Sequence, residues 1–158
     1  MALQKIFQLM LFLSFCLPAP LFGEESREGA LKEISSPTRI FYLDSYGRDY
    51  EWSREIQRGI QEGLQASSRN LELSIEHLDH RRFPDREYAE IMASYLEAKY
   101  AGYSHDLLLL SDNPAFDFVM ARRERLFPGV PVAFCGYNNL TPEEIAPYRD
   151  ITGINEEI

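Results

Sequence analysis

Short apolar runs alternate with longer amphipathic stretches along the chain from residue 38 onward. Residues 40–43 and the four leucines at 107–110 are continuous apolar runs, which are typical of parallel strands buried on both faces. Residues 71–75 instead alternate apolar and polar side chains, which predicts a half-exposed strand nearer an edge. Two further strands are predicted, over 130–135, ending at Gly136, and over 151–154.

Helical spacing marks the stretches between these runs. The first predicted helix has the candidate cap Asp49 and a buried stripe formed by Trp52, Ile56, Ile60 and Leu64. The second has the cap Asp85 and a predicted buried face of Tyr88, Ile91, Met92, Tyr95, Leu96 and Tyr100. A third helix is predicted to follow the cap Asn113, with Pro114 in its first position, and a helical turn to cover 141–146.

This alternation of strands and helices predicts an α/β fold with a doubly wound, mainly parallel five-stranded sheet. Right-handed crossovers place the strands in the order 2-1-3-4-5, with helices on both faces. The winding direction changes between strands one and three. In such sheets ligands bind at the carboxyl ends of the strands beside that switch point, so the candidate site is expected there.

Polar and aromatic residues follow three of the predicted strands. Ser45 and Tyr46 follow the first strand, Asp112 and Asn113 the third, and residues 136–138 the fourth. Because the carboxyl ends of neighbouring parallel strands meet at one edge, we expect these residues to form a polar rim that binds a small molecule. The alternative is that Asp112 and Asn113 are ordinary turn and cap residues.

The motifs of several other chemistries are missing from the sequence. There is no glycine-rich dinucleotide motif after the first strand, no phosphate loop and no nucleophile elbow, so no nucleotide or other cofactor is expected. His77 and His80 are three residues apart on a predicted strand, where such positions point to opposite faces, so no metal site is expected. His105 is expected in a solvated loop before the third strand.

Cys135 lies within an apolar strand, which favours packing over a role as a nucleophile. No catalytic residue is predicted. An enzyme, for instance a hydrolase that uses Asp112 or Cys135, is kept as an alternative class.

The N-terminal segment predicts export. Residues 1–23 combine Lys5, an apolar stretch over 6–17 and prolines at 18 and 20, which is the pattern of a cleaved signal peptide. Two alternatives stay open, an uncleaved anchor over 6–22 and a lipoprotein site at Cys16. Residues 24–37 are polar and without periodicity, and they predict a tether.

Charge and cysteine content narrow the class of protein further. The formal net charge is −9, and no basic cluster larger than 122–125 offsets it, so nucleic acid is not an expected partner. Once the signal is removed, Cys135 is the one remaining cysteine, and an exported chain then has no internal disulfide. A bacterial periplasm, or the extracytoplasmic face of the inner membrane, suits such a chain.

Several strings occur together in the order and spacing of a known family. They are YLDSY at 42–46, WS at 52–53, RFPD at 82–85, DLLLLSDN at 106–113, LFPGVPV at 126–132, FCGYN at 134–138 and ITG at 151–153. Together they resemble the ABC-transporter substrate-binding-protein-like family of type I periplasmic binding folds. The resemblance is strongest to the version found at the N-terminus of membrane sensor histidine kinases and diguanylate cyclases.

The resemblance implies a two-lobed ligand trap, with residues 38–158 as its N-terminal lobe. The second lobe is absent, so the chain is interpreted as a fragment. The family's first-lobe ligand rim then falls on Ser45, Tyr46, Trp52, Asp112, Asn113, Gly136, Tyr137 and Asn138.

The function implied is an extracytoplasmic small-molecule sensor, the input domain of a transmembrane signalling protein such as a sensor histidine kinase. The alternative is the substrate-binding protein of an ABC importer. The expected partners are an amino-acid-like or aromatic ligand, the missing second lobe, and a membrane signalling protein or permease. Any histidine kinase or diguanylate cyclase activity would belong to missing C-terminal domains, so the chain itself is not expected to be an enzyme.

Overall fold

The computed structural model describes residues 36–156, and the predicted signal segment at 1–23 lies outside the described residues. The strands are β1 (Thr38–Asp44), β2 (Leu71–His77), β3 (Leu107–Ser111), β4 (Val132–Asn138) and β5 (Ile151–Glu156). The helices are α1 (Glu51–Gln65), α2 (Arg86–Lys99), α3 (Asp112–Met120), α4 (Arg123–Leu126) and α5 (Pro142–Ile145). In this described part of the chain, no helix is long and apolar enough to span a membrane.

The five strands form one parallel sheet in the order β2-β1-β3-β4-β5, which confirms the predicted fold class and strand order. The leucine run of β3 occupies the centre of the sheet. Leu108 and Leu110 are buried on one face and Leu109 on the other, because helices cover both faces. β2 is an edge strand, as its alternating pattern predicts.

Each face of the sheet has its own apolar layer. Ile56 and Ile60 of α1 pack against one face, together with Tyr42 of β1. Leu96 of α2 and Val119 of α3 are buried against the other face. The carboxyl edge of the sheet is therefore bordered by α1 on one side and by α2 and α3 on the other.

Two predicted helix starts are wrong: α1 begins one residue later than predicted, and α3 begins two residues earlier. α1 begins after Tyr50, and the carboxylate of Asp49 instead accepts a hydrogen bond from Arg82 Nη2 at 2.5 Å. α3 begins at Asp112, one residue before the predicted cap Asn113. In both cases a tertiary contact engages the side chain that the local sequence assigns to capping. Asp85 is the residue before α2, as predicted.

The predicted buried face of α2 is too wide. Met92 and Leu96 are buried, whereas Ile91 is 60% exposed and Tyr95 is 45% exposed. A helix that packs on a sheet along a single side buries one stripe. Residues 91 and 95 lie about 100° around the helix from that stripe, because each residue turns the helix by that angle.

β4 continues through Asn138, so its predicted end at Gly136 is also wrong. The pairing with β5 shifts register between Cys135 and Tyr137, which is the geometry of a bulge. Gly136 has φ +72° at this point, a conformation that glycine adopts without steric cost.

His105 is buried, with 6% of its surface exposed, and the expectation of a solvated loop histidine is wrong. Its ring packs against Phe41 at a centroid distance of 5.2 Å and against Tyr100 at 4.8 Å. Burial lowers the pKa of His105, and the nearby Arg39 charge lowers it further. The loop before β3 folds over the aromatic end of the core, which the local sequence does not indicate.

Candidate functional site

The carboxyl ends of four strands bring their side chains into one row. The parallel registers pair Asp44 with His77 and with Ser111, and Ser111 with Cys135. Directly paired residues of neighbouring strands point to the same face of a sheet, and Cys135 packs on the face that α1 covers. This row therefore lies beside the N-terminal end of α1.

Asp44 is the centre of a buried hydrogen-bond network, with 1% of its surface exposed. Its Oδ1 accepts hydrogen bonds from Ser53 Oγ of α1 at 2.8 Å and from Ser111 Oγ at 3.2 Å. The Ser111 hydroxyl donates its one hydrogen to Asp44. In its contact with the Tyr42 hydroxyl at 2.9 Å, Ser111 is therefore the acceptor and Tyr42 the donor. Burial, and then the Asp44 charge, raises the pKa of Tyr42 well above its ordinary value. The Tyr42 phenol therefore stays protonated and serves as a donor.

His77 completes the network on the β2 side. Its Nδ1 lies 2.9 Å from Asp44 Oδ2, and its Nε2 accepts a hydrogen bond from Arg48 Nε at 3.2 Å. A guanidinium can only donate, so Nε2 is the acceptor and Nδ1 carries the hydrogen that is donated to Asp44. Arg48, His77 and Asp44 thus form a chain of hydrogen bonds that ends on the buried carboxylate.

Ser45 is fully buried, and its hydroxyl is already engaged twice. Its Oγ donates to the carbonyl oxygen of Ser111 at 2.6 Å and accepts from the N–H of Ala115 at 2.8 Å. These bonds fasten the end of β1 to the end of β3 and to the first turn of α3. The structure therefore places Ser45 beneath the predicted rim rather than on its surface.

Asp112 has an unusual backbone conformation. Its φ is +71°, in the left-handed region that residues with a Cβ rarely occupy, and its Oδ1 accepts a hydrogen bond from the N–H of Asn113 at 2.8 Å. The pKa of Tyr46 is raised to about 12, first by burial and then by the charge of the nearby Asp112 carboxylate. Asp112 and Tyr46 are therefore neighbours at the carboxyl edge of the sheet.

Asn113 braces the start of α3 against the end of β4. Its Oδ1 accepts from the backbone N–H of Asn138 at 2.8 Å, and its Nδ2 donates to the backbone oxygen of Asn138 at 3.2 Å. The side-chain Oδ1 of Asn138 is a buried acceptor with no hydrogen-bond partner among the described residues. Asn113 holds this part of the rim in place, while Asn138 keeps an unused acceptor.

The indole of Trp52 lies over Gly136. A Cβ at residue 136 would be 3.5 Å from Cζ2 of Trp52 and 3.8 Å from the backbone nitrogen of Asp112. Trp52, Gly136 and Asp112 are thus neighbours on the side of the edge that borders α1. Within residues 36–156, Nε1 of Trp52 is a buried donor without a partner.

Tyr137 lies at the same edge but on the opposite face of the sheet from Trp52. Its ring packs edge-on against Phe116 of α3 at a centroid distance of 5.0 Å, and its hydroxyl donates to Asp117 Oδ1 at 3.1 Å. Burial and the Asp117 charge raise the pKa of Tyr137 to about 12. The eight predicted residues therefore lie along one edge, and they are divided between its two sides.

The loops after β1 and β2 hold each other in place. The N–H of Asp79 donates to the carbonyl oxygen of Tyr46 at 3.3 Å, and Arg82 forms ion pairs with Asp79 at 3.2 Å and with Asp49 at 2.5 Å. These contacts fix the conformation of the loop that carries Tyr46.

A groove of about 470 Å³ opens on the other side of the edge, between the loop after β2 and α3. Its lining includes the stacked rings of Phe83 and Tyr88 and the carboxylates of Asp85 and Asp117. Of the predicted site residues, Asn113 is the one that lines this groove. The groove is therefore continuous with the rim but does not include Trp52 or Asp112.

The thiol of Cys135 is buried, and burial raises its pKa to about 12. It is protonated at neutral pH and packs with Ala133 against the α1 face, which agrees with the packing interpretation. Among the described residues, no group of three or more His, Cys, Asp or Glu side chains is close enough to hold a metal ion.

Sequence reasoning missed Asp44, Ser53 and His77. Asp44 and His77 are the last residues of β1 and β2 and lie just beyond the predicted strands, but only the register of β1 against β2 places them side by side. Ser53 lies within an amphipathic helix, where a small polar residue gives no distinctive signal.

Comparisons of the sequence with protein-family models and with curated proteins found no match.

Proposed function

We propose that this domain is one lobe of an extracytoplasmic solute-binding module and that its carboxyl edge binds a small solute as the input of a transmembrane signalling protein. The observation that carries the proposal is a pair of unused polar atoms. Trp52 Nε1, a donor, and Asn138 Oδ1, an acceptor, are both buried, and neither has a hydrogen-bond partner among residues 36–156. Both residues were predicted for the site from sequence.

A buried polar atom without a partner destabilises the folded protein, because it loses its hydrogen bonds to water and gains none in return. Such atoms are tolerated where a bound molecule supplies the missing partner. The left-handed backbone of Asp112 supports the same assignment, because strain of this kind is concentrated at functional sites.

The chemistry of the rim favours a solute that carries an ammonium group. Asp112 supplies a carboxylate, while Trp52 and Tyr46 supply aromatic surface next to it. A carboxylate beside aromatic rings attracts a cation through charge and through the ring quadrupole. Amino acids and small amines, including aromatic ones, fit this combination.

The open edge contacts such a solute from one side only. In the two-lobed arrangement that the resemblance implies, a second lobe closes over the other side. Binding then favours the closed state through the contacts that exist only in that state. The chain by itself is expected to bind with millimolar affinity, since about half of the contacts are missing.

Trp52 is the one tryptophan in the chain, so its fluorescence reports on the site alone. We propose to titrate the chain with the twenty amino acids and a panel of small amines while following Trp52 emission. Binding of at least one amine at millimolar concentration is expected, and Asp112→Asn should weaken it about tenfold, which corresponds to about 1.4 kcal/mol.

Asp85→Asn is the matched control, because Asp85 lies at the same edge but lines the groove on the side of α2 and α3. It should leave the titration unchanged. Binding that is insensitive to Asp112→Asn would remove Asp112 from the site. Micromolar binding by this chain alone would contradict the two-lobed arrangement, and no response to any compound would contradict the proposal as a whole.

A further inference from the structure

Arg81 lies in the loop after β2, next to the loop that carries Tyr46. The N–H of His80 donates to the carbonyl oxygen of Ser45 at 2.9 Å, so the chain after β2 stays beside the end of β1 up to the residue before Arg81. The guanidinium of Arg81 lies over the ring of Tyr50, 4.6 Å from its centroid, and that ring packs edge-on against Tyr46 at 5.0 Å. Arg81 is therefore part of the same group of side chains as Tyr46.

The guanidinium of Arg81 is available to an anion. Its side chain is exposed, and in the described part of the chain it forms no ion pair and donates no hydrogen bond. The next residue, Arg82, is different, because it pairs with Asp49 and Asp79. A guanidinium carries five N–H donors in a planar fork that fits a carboxylate. Stacking on the ring of Tyr50 holds this fork in place and leaves its donors unused.

Tyr46 lies between Arg81 and a charge of the opposite sign. The strand order β2-β1-β3 places the loop that contains Arg81 on one side of the end of β1, and Asp112 on the other side. Burial and then the charge of Asp112 raise the pKa of Tyr46 to about 12, whereas the charge of Arg81 acts in the opposite direction. Both charges are therefore close to the Tyr46 phenol. The side chain of Asp112 accepts a hydrogen bond from the N–H of Asn113 but is in no ion pair among residues 36–156.

The first turn of α3 offers no alternative site for an anion. Helix N-termini bind anions through backbone N–H groups that have no other acceptor. In α3 the N–H of Asn113 donates to Asp112 Oδ1 at 2.8 Å. Pro114 has no N–H, and the N–H of Ala115 donates to Ser45 Oγ at 2.8 Å. A carboxylate at this edge is therefore expected to bind at the loop after β2, away from the Asp112 charge.

We propose that Arg81 is the carboxylate-binding residue of the site, so that the solute is a zwitterion held at its ammonium group by Asp112 and at its carboxylate by Arg81. This inference rests on the proposed function, in which Asp112 binds an ammonium group, and it assigns the residue that binds the opposite charge. The two charges of the solute then balance the two charges of the edge. Trp52, which lies beside Asp112, is left to contact the rest of the solute.

Arg81 makes the site selective for compounds that carry both charges. An amine without a carboxylate binds Asp112 but gains nothing from Arg81. A carboxylic acid without an ammonium group brings its negative charge close to Asp112 and is repelled. Because Arg81 is exposed, water screens its contact with the carboxylate, and a preference of about tenfold is expected.

Matched pairs of compounds test the carboxylate contact. Each amino acid except tryptophan, which itself fluoresces, is compared with the amine that its decarboxylation gives, such as L-phenylalanine with 2-phenylethylamine. Binding to the chain is followed by Trp52 emission, and the amino acid should bind about tenfold more tightly than the amine. Arg81→Gln should weaken the amino acid about tenfold and leave the amine unchanged. Asp112→Asn should weaken both compounds.

The amine serves as an internal control for the structure of the site. Arg81→Gln also removes the stacking on Tyr50, and a site disturbed by that loss would bind the amine more weakly as well. Arg86→Gln is the matched control for charge, because Arg86 is exposed at the same edge but lines the groove on the side of α2 and α3. It should leave the binding of both compounds unchanged. Arg81→Lys keeps the charge without the planar fork and should retain part of the preference.

Three results would contradict the inference, and they separate it from the proposed function. Equal binding of amino acid and amine by the unaltered chain, with both weakened by Asp112→Asn, would overturn the role of Arg81 and leave the proposed function standing. Equal weakening of both compounds by Arg81→Gln would make Arg81 a structural residue of its loop and overturn the inference in the same way. If no compound of either series binds, the proposed function fails together with the inference.

Discussion

Ser53 of α1 and Asp44 at the end of β1 share a hydrogen bond of 2.8 Å, and both side chains are buried almost completely. This bond ties the first helix to the first strand at the carboxyl edge. It also offsets part of the free-energy cost of burying the Asp44 carboxylate. That cost is large unless several hydrogen-bond donors replace the lost water. The position of α1, and with it that of Trp52, depends on this network.

Replacing Asp44 with alanine should therefore be strongly destabilising. The change leaves the hydroxyl groups of Ser53 and Ser111 and the imidazole of His77 without their common acceptor. A loss of about 3–5 kcal/mol in the free energy of unfolding is expected, measured by urea denaturation. Asp49→Ala is the control: Asp49 is exposed, and its loss should have a much smaller effect. Equal effects for the two variants would contradict the central role of Asp44.

Ser45→Ala should loosen the junction between β1 and α3. The buried N–H of Ala115 loses its acceptor, and the expected cost is about 1–3 kcal/mol. Hydrogen exchange gives a local readout, because the amide of Ala115 should exchange faster in the variant while the amides of α1 keep their relative protection. Unchanged exchange at Ala115 would show that the hydroxyl of Ser45 is not its acceptor.

Cys135 should be unreactive in the folded chain. Burial raises its pKa to about 12, and the thiolate is the species that reacts with a disulfide reagent. In a Cys16→Ser variant at pH 8, we expect no thiol to react with such a reagent under native conditions and one to react in urea. Rapid reaction of the native protein would argue for an accessible thiol and would revive a catalytic interpretation of Cys135.

His105 should make the protein less stable as the pH falls. Burial lowers its pKa in the folded state, so the unfolded chain binds the proton first. The neutral form contributes its full stability above the unfolded pKa of about 6.5, and this contribution is lost as the pH falls from there toward the lower folded pKa. Urea denaturation between pH 7.5 and about pH 5 should show the decline.

His105→Phe should flatten that part of the curve, because phenylalanine fits the aromatic surroundings formed by Phe41 and Tyr100 and does not titrate. His80→Gln is the control and should leave the pH dependence as it is, since His80 is not buried in the core. The pKa values of the Asp150 and Glu144 carboxyl groups are lowered, so their protonation destabilises the folded protein at a more acidic pH than the protonation of His105 does. The effects of the carboxyl groups and of His105 are therefore separable. A pH dependence that persists in His105→Phe would assign it to another group.

The sequence by itself determined the fold class and the edge at which the candidate site lies. Apolar runs too short for helices, separated by stretches with helical spacing, leave few alternatives to a parallel sheet, and the leucine run at 107–110 identifies its central strand. The residues after each strand were then brought to one edge by topology alone, since parallel strands all end on the same side.

Only the tertiary structure decided what each of those residues does. Ser45 and Asn113 form their hydrogen bonds within the protein, whereas Trp52 and Asn138 each have a buried polar atom with no partner in the described part of the chain. The same holds for Ile91 and Tyr95, whose apolar character is visible in the sequence but whose exposure is not. Hydrogen-bond partners and burial depend on the register of the strands and on the rotation of each helix about its axis. Both are set by contacts between residues far apart in the chain, so a pattern read along the chain does not contain them.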